Sequence, residues 1–225
     1  MLSPNPPQQR QQQQQQQQQQ CESASPPVSA SASAKKHRHN HIWLVTGPAG
    51  CGKTTVAEFL ARALKMPYIE GDSYHTRANV AKMSSGTPLT DADRWDWLTA
   101  LRDESMRRIG QGSDGVVVTC SALKRKYRDV MRVAAYYHDD VVIHFIFLAA
   151  PADVLLRRVA QRKDHYMGPE MVQSQLDILE IPDGQERDVV TVDVSRSIDE
   201  VQQEVATRAA DVMRADLASQ VSCNA

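Results

Sequence analysis

The chain has 225 residues, 41% of them hydrophobic and 24% charged, with a formal net charge of −1. That balance excludes the strong basic excess of a nucleic-acid-binding surface. No apolar run approaches the roughly 20 residues that cross a bilayer as a helix, so no membrane partner is expected.

Residues 1–40 hold a glutamine run, Gln11 to Gln20, then Ser, Ala and Pro, then the basic cluster Lys35-Lys36-His37-Arg38. With almost no apolar side chains, this stretch cannot offset the entropy of ordering and reads as a disordered tail. The first 41 residues carry four cations against Glu22, a balance of +3, which leaves −4 on the remainder. The basic cluster reads as a solvated tail, with a localisation signal or a weak anion contact as the alternative. No apolar h-region follows Met1, which argues against a secretory signal. The four cysteines, Cys21, Cys51, Cys120 and Cys223, show no metal-ligand spacing. Reduced thiols and a cytoplasmic location are the expectation. One folded domain is expected over residues 41–217, with 218–225 a flexible end.

The first ordered element is the apolar run Ile42-Trp43-Leu44-Val45, a strand over 42–46. Gly47-Pro48-Ala49-Gly50-Cys51-Gly52-Lys53-Thr54 follows and fills every fixed position of a Walker A loop. Val56, Phe59, Leu60, Ala63 and Leu64 then share one face of a helix over 54–65. Strand, glycine loop and helix present bare backbone N–H groups and a helix N-terminus to phosphate. Gly47 through Thr54 are therefore the expected nucleotide-phosphate ligands. Lys53 would reach the β/γ oxygens, and the Thr54 hydroxyl would hold Mg²⁺.

A second strand over 67–69 runs into Glu70-Gly71-Asp72-Ser73-Tyr74-His75. Asp72, at a strand's carboxyl end, can take a proton from an attacking hydroxyl or hold a Mg²⁺-bound water. Its alternative is a helix N-cap, although Ser73 can also cap the helix expected over 73–84. The polar segment from His75 to Thr90, with Arg77, Asn79, Lys82 and Gly86, reads as a small lobe over the sheet edge. A long helix over 91–110 carries Trp95, Trp97 and Leu98, expected to pack.

A third strand over 116–120 leads to Cys120-Ser121-Ala122-Leu123-Lys124 and Tyr127-Arg128. Cations there suit an anionic substrate, or equally the exposed first turns of a helix over 125–136. The fourth strand, 141–148, precedes a helix over 152–162 that carries Arg157-Arg158 and Arg162-Lys163, with His165 just beyond. Such a cluster suits a lid that neutralises charge on a transferred phosphoryl group. It equally suits a solvated cationic helix end. A helix over 169–180, a strand over 189–194 and a helix over 198–215 complete the chain. Strands alternating with helices imply a parallel sheet with ligands beyond its carboxyl edge.

The constellation resembles the gluconokinase family of small P-loop kinases. The blocks that carry it are Gly71-Asp72 with His75, Asn79, Lys82-Met83 and Gly86, then Thr87-Pro88-Leu89-Thr90-Asp91-Ala92-Asp93-Arg94 with Trp97-Leu98. Cys120-Ser121-Ala122-Leu123-Lys124, Tyr127-Arg128-Asp129, Arg162-Lys163 with His165, and Gln175 through Pro182 extend it across residues 42–215. Thr76 and Asp96 stand where the family usually has proline, and 136–140 is slightly extended.

The resemblance implies an α/β fold: a P-loop kinase-like three-layer sandwich, with a five-stranded parallel sheet flanked by helices and a mobile lid. It implies transfer of the γ-phosphoryl group of ATP, with Mg²⁺, to the 6-hydroxyl of D-gluconate, with Gly47 through Thr55 binding the ATP phosphates and Mg²⁺. Asp72 becomes the candidate base. His75, Arg77, Asn79, Lys82, Lys124 and Arg128 become candidates around the polyol and its carboxylate. Arg158 would lie on the adenine, and Arg162 with His165 near the transferred phosphate. A shikimate-type or nucleoside-monophosphate kinase shares the fold but not the 72–94 block. A non-catalytic nucleotide-binding protein assembling through the Gln-rich tail is the alternative of another class. A GTPase is disfavoured, because no Asn-Lys-x-Asp base reader occurs. Assembly as a homodimer is left open.

Overall fold

The structure, a computed structural model, describes residues 39–161 and 169–223. The first strand, β1 (Asn40–Thr46), is buried from His41 to Thr46. Its side chains alternate between two cores: Trp43 and Val45 on one face, Ile42 and Leu44 on the other. A strand apolar on both faces is stable only as the middle of a covered sheet. β1 is that middle, pairing in parallel with β3 (Gly115–Thr119) on one side and β4 (Val141–Ala149) on the other. β2 (Tyr68–Ile69) and β5 (Val189–Asp193) form the edges, giving the order β2-β3-β1-β4-β5. All five strands fall where the sequence places them, within two residues at either end.

One face is covered by α1 (Lys53–Leu64), α5 (Ala152–Ala160) and α7 (Ile198–Cys223), through Val56, Leu60, Leu155, Val159, Val201 and Val205. The other is covered by α3 (Asp91–Gly110) and α4 (Arg125–Tyr137), through Trp97, Leu98, Leu101, Tyr127 and Met131. Between β2 and α3 lies α2 (Arg77–Ser84), which contributes Met83 to a small separate cluster with Leu89. α6 (Pro169–Asp177) precedes β5.

Two helix boundaries depart from the sequence reading by four residues or more. The helix expected from residue 73 begins at Arg77, after a 3₁₀ turn at Gly71–Tyr74. His75 and Thr76 between them are extended, and the Thr76 hydroxyl accepts from the Asn79 N–H at 3.2 Å. Thr76, not Ser73, is therefore the cap. The long third helix starts as expected, closed by a capping box between Thr90 and Asp93. At the other end, α7 runs through Cys223, so the end expected to be flexible from residue 218 is helical to that point. The tail over 1–38 and the lid with Arg162 and His165 lie outside the described residues.

Candidate active site

The carboxyl ends of β1, β2 and β3 converge on the glycine loop. Thr46 Oγ1 donates to the Ser121 carbonyl at 2.6 Å and the Gly47 N–H to the same oxygen at 3.3 Å, tying the loop's entry to the end of β3. Gly47, Gly50 and Gly52 all have positive φ, at 137°, 85° and 93°. A Cβ on Gly47 would meet Cys51 Sγ and the Leu148 carbonyl at 2.9 Å, so both backbone angle and space demand glycine. Lys53 Nζ donates to the Gly47 and Pro48 carbonyls at 3.1 Å each. Gln175, from α6, accepts the Ala49 N–H on its Oε1 at 2.8 Å. This brace, unassigned from sequence, links the segment beyond the lid to the loop.

Behind Thr54 stands Glu70, the last residue before the 3₁₀ turn. It accepts from Thr54 Oγ1 at 3.1 Å, from Thr119 Oγ1 at 2.6 Å and from the Tyr68 hydroxyl. Burial alone would raise its carboxyl; the hydrogen bonds from Thr119, Tyr68 and Thr54 outweigh that and hold it below the usual carboxylate range. Burial, then the bond to Glu70, pushes the Tyr68 phenol well up. An anionic carboxylate orienting the Thr54 hydroxyl is what a Mg²⁺ ligand needs behind it. Sequence reading passed over Glu70 because Asp72, two residues on, offers a carboxylate at the same strand end. The only local signal was its place before Gly71-Asp72. The donor set is oxygen throughout, which fits Mg²⁺. Among the described residues no group of three His, Cys, Asp or Glu could hold a metal.

Gly71 is pinned beside this group. Its N–H donates to Thr119 Oγ1 at 2.9 Å, its carbonyl accepts from Trp97 Nε1 at 2.7 Å, and a Cβ there would lie 1.9 Å from the Thr119 carbonyl. The close approach fixes the 3₁₀ turn and delivers Asp72 and His75 to a cleft shared with Lys53, Ser121, Arg94 and Gln175. The His75 ring stacks on Trp97 with centroids 4.2 Å apart. Burial, partly opposed by the nearby Asp72 charge, lowers its pKa below the usual histidine value. On the other side of the loop a cavity of about 300 Å³ is lined by Gly50, Gly52, Val56, Arg158, Val194 and Ile198. Arg158 Nη2 donates to the Val194 carbonyl at 2.7 Å, which holds it at this second cavity.

Lys53, Asp72 and His75 are thus brought together, but five other expected acceptor ligands do not line the cleft. Arg128 is the clearest correction. It is 1% exposed, its Nε and Nη2 clamp Glu186 at 2.8 and 2.6 Å, and its Nη1 donates to the Ala122 and Glu180 carbonyls. Every nitrogen is engaged within the fold, so it ties α4 to the segment before β5. Asn79 is buried and donates Nδ2 to the Asp93 carbonyl at 2.6 Å, fastening α2 to α3. Lys82 pairs with Asp93 at 2.6 Å and Lys124 with Asp91 at 3.0 Å. Arg77 is exposed at the start of α2. Asp91 also accepts from Lys126 and Tyr127, and these bonds hold its carboxyl far below the usual range.

A family model described as an AAA domain matches residues 42–180. The chain is 45% identical over 164 residues to a probable gluconokinase of Schizosaccharomyces pombe, covering 72% of this chain and 84% of that protein. The chain belongs to the gluconokinase family. It is also 37% identical to the thermoresistant gluconokinase of Escherichia coli K12, covering 71% of this chain and 88% of that protein. Among solved structures, a gluconokinase from Sinorhizobium meliloti 1021 superposes with a TM-score of 0.69 at 40% identity, over 79% of this chain and 95% of that one. As in that gluconokinase, the phosphate loop here sits on a P-loop kinase α/β fold.

Proposed function

We propose that this gluconokinase-family chain transfers the γ-phosphoryl group of ATP to the 6-hydroxyl of D-gluconate. The observation that supports it most directly is that Lys53 of the phosphate loop and Asp72 line one cleft. A reacting hydroxyl held there lies between a carboxylate that accepts its proton and a cation that meets the phosphoryl oxygens. In the step, the acceptor oxygen bonds to the γ-phosphorus, the bond to the bridging oxygen of ADP breaks, and the hydroxyl proton passes to Asp72, directly or through water. Mg²⁺ supplies charge neutralisation across the phosphates when bound. Thr54 would be its protein ligand, oriented by Glu70. The nucleotide base takes the cavity by Arg158, so ATP spans the loop from one cleft to the other.

The acceptor cleft encloses only about 30 Å³, roughly two waters. A six-carbon acid therefore enters by displacing the α2 lobe, whose apolar anchorage is just the Met83–Leu89 pair. Small separate clusters open at low cost relative to the main core. Among the described residues no helix is long and apolar enough to cross a membrane, and the buried cysteines Cys51 and Cys120 suit a reducing compartment such as the cytoplasm. The test is gluconate-dependent ADP release by the purified chain. Turnover should be clear in the wild type and fall by orders of magnitude in a folded Lys53→Ala variant. Absence of gluconate-dependent release from the folded wild type overturns the reading.

A further inference from the structure

Arg94, on the first turn of α3, is a cation placed inside the acceptor cleft and only 7% exposed. Its Nη2 donates to the Leu89 carbonyl at 3.2 Å, and its guanidinium carbon lies 5.5 Å from the centre of the Tyr127 ring. Its Nε is buried and has no hydrogen-bond partner among the described residues. The cleft holds a second such atom: His75 Nδ1, buried and without a partner, on a ring fixed by its stack against Trp97. An unmatched buried donor on a charged group is costly. Two residues that line one cleft thus each hold an unmatched buried polar atom, the kind of group whose missing partner a ligand can supply.

Among the described residues, Lys82, Lys124 and Arg128 are committed to Asp93, Asp91 and Glu186, and neither they nor Arg77 line the cleft. Lys53 belongs to the phosphate loop. Arg94 is the one guanidinium among the described residues that line the cleft, in place for a charge carried by the acceptor itself. A guanidinium matches a carboxylate in plane and charge, which an ammonium does not.

We propose that Arg94 binds the carboxylate of the sugar-acid acceptor, and that the His75 ring takes one of its hydroxyls through Nδ1. This rests on the sugar-acid reading above and deepens it: Arg94 becomes the residue that separates an acid from a neutral polyol. Packing against Tyr127 and Leu89 is the rival role, and it predicts no dependence on the ligand's charge.

The experiment compares wild type, Arg94→Gln and Arg94→Lys as full chains. It uses D-gluconate as substrate and, as competitor, D-glucitol, in which an alcohol replaces the carboxylate. Arg94→Gln should lower kcat/KM for gluconate by about 10²-fold or more, chiefly through KM. The KM for ATP and the inhibition constant of D-glucitol should move by less than about threefold. Arg94→Lys keeps the charge without the fork, and should raise the gluconate KM by about tenfold with D-glucitol unaffected. If Arg94→Gln does not fold, Arg94→Lys carries the same comparison. Equal losses for gluconate and D-glucitol, or a gluconate loss under about tenfold in Arg94→Gln, overturn the proposal. Should wild type itself fail to turn over gluconate, the sugar-acid reading fails instead.

Discussion

Asp72 and Glu70 stand two residues apart at the end of β2, yet their surroundings give them different work. Glu70 is saturated by Thr54, Tyr68 and Thr119 and stays ionised as a fixed anion behind the metal-side hydroxyl. Asp72 is exposed at the cleft with Lys53 and His75. The division predicts separable phenotypes. General-base contributions are typically about 10²–10⁴-fold, so Asp72→Asn should lower kcat by that amount while ATP still binds. Steady-state kinetics with a separate ATP-binding titration checks this. A kcat loss under about tenfold would make Asp72 a positioning residue of the 3₁₀ turn.

At the scale of elements, the fold depends on a buried ion pair that sequence reading assigned to the substrate. Arg128 of α4 and Glu186 before β5 are 58 residues apart and both nearly inaccessible. Hydrogen bonds from Arg128, working against burial, hold the Glu186 carboxyl down at about 2. Arg132 adds a second guanidinium to the same carboxylate at 2.7 Å. Removing one partner of a buried pair leaves the other uncompensated, at a cost of about 3–5 kcal/mol. Arg128→Ala should therefore lower Tm by about 10 °C, while the KM for gluconate of the remaining folded enzyme stays near wild type. Thermal melts and kinetics below the transition test both halves; a large KM change with an unaltered Tm would return Arg128 to the substrate.

The contrast shows what local pattern can carry. The Walker A loop and the five strands were legible because each is a contiguous signal: a filled motif, or an apolar run bounded by turn residues. Arg128 and Arg94 were not separable, since a sequence shows two arginines near helix starts and not which one faces Glu186. The cap at Thr76 was missed because Ser73 offers the same chemistry three residues earlier. The choice between them is made by Gly71, squeezed against Thr119 and Trp97.

Across the whole molecule, the end of the sheet opposite the active site carries a buried histidine pair. His41 Nδ1 and His144 Nε2 are 3.0 Å apart, Trp43 stacks on His144 with centroids 4.3 Å apart, and Asp216 of α7 lies 3.6 Å from His41 Nε2. Burial, and then the neighbouring His41, lowers His144 to about 4; Asp216 and Asp188 oppose this. In the unfolded chain a histidine titrates near 6.5. Between those values the unfolded chain holds a proton that the folded one lacks, so stability falls as pH drops from about 6.5 to about 4. The depressed His75 adds in the same direction. Glu186, held near 2, loses its contribution only as pH falls below the ordinary carboxylate range. Melts at pH 7 and pH 5 should differ by about 3 °C or more, and His144→Gln, which preserves a hydrogen bond to His41, should shrink the difference. An unchanged difference in that variant would remove His144 from the account.

The central claim concerns the acceptor, and acceptor selectivity measures it most directly. A cleft that pairs a carboxylate leaves a buried cation unmatched when a neutral sugar enters, a mismatch that can cost about 10⁴-fold in kcat/KM, whereas a difference of shape alone costs far less. The measurement is ADP release by the purified chain with D-gluconate, D-glucose, shikimate and AMP in parallel. The account predicts that gluconate exceeds glucose by orders of magnitude, with shikimate and AMP inactive. Comparable rates for gluconate and glucose, or a preference for shikimate or AMP, would contradict it.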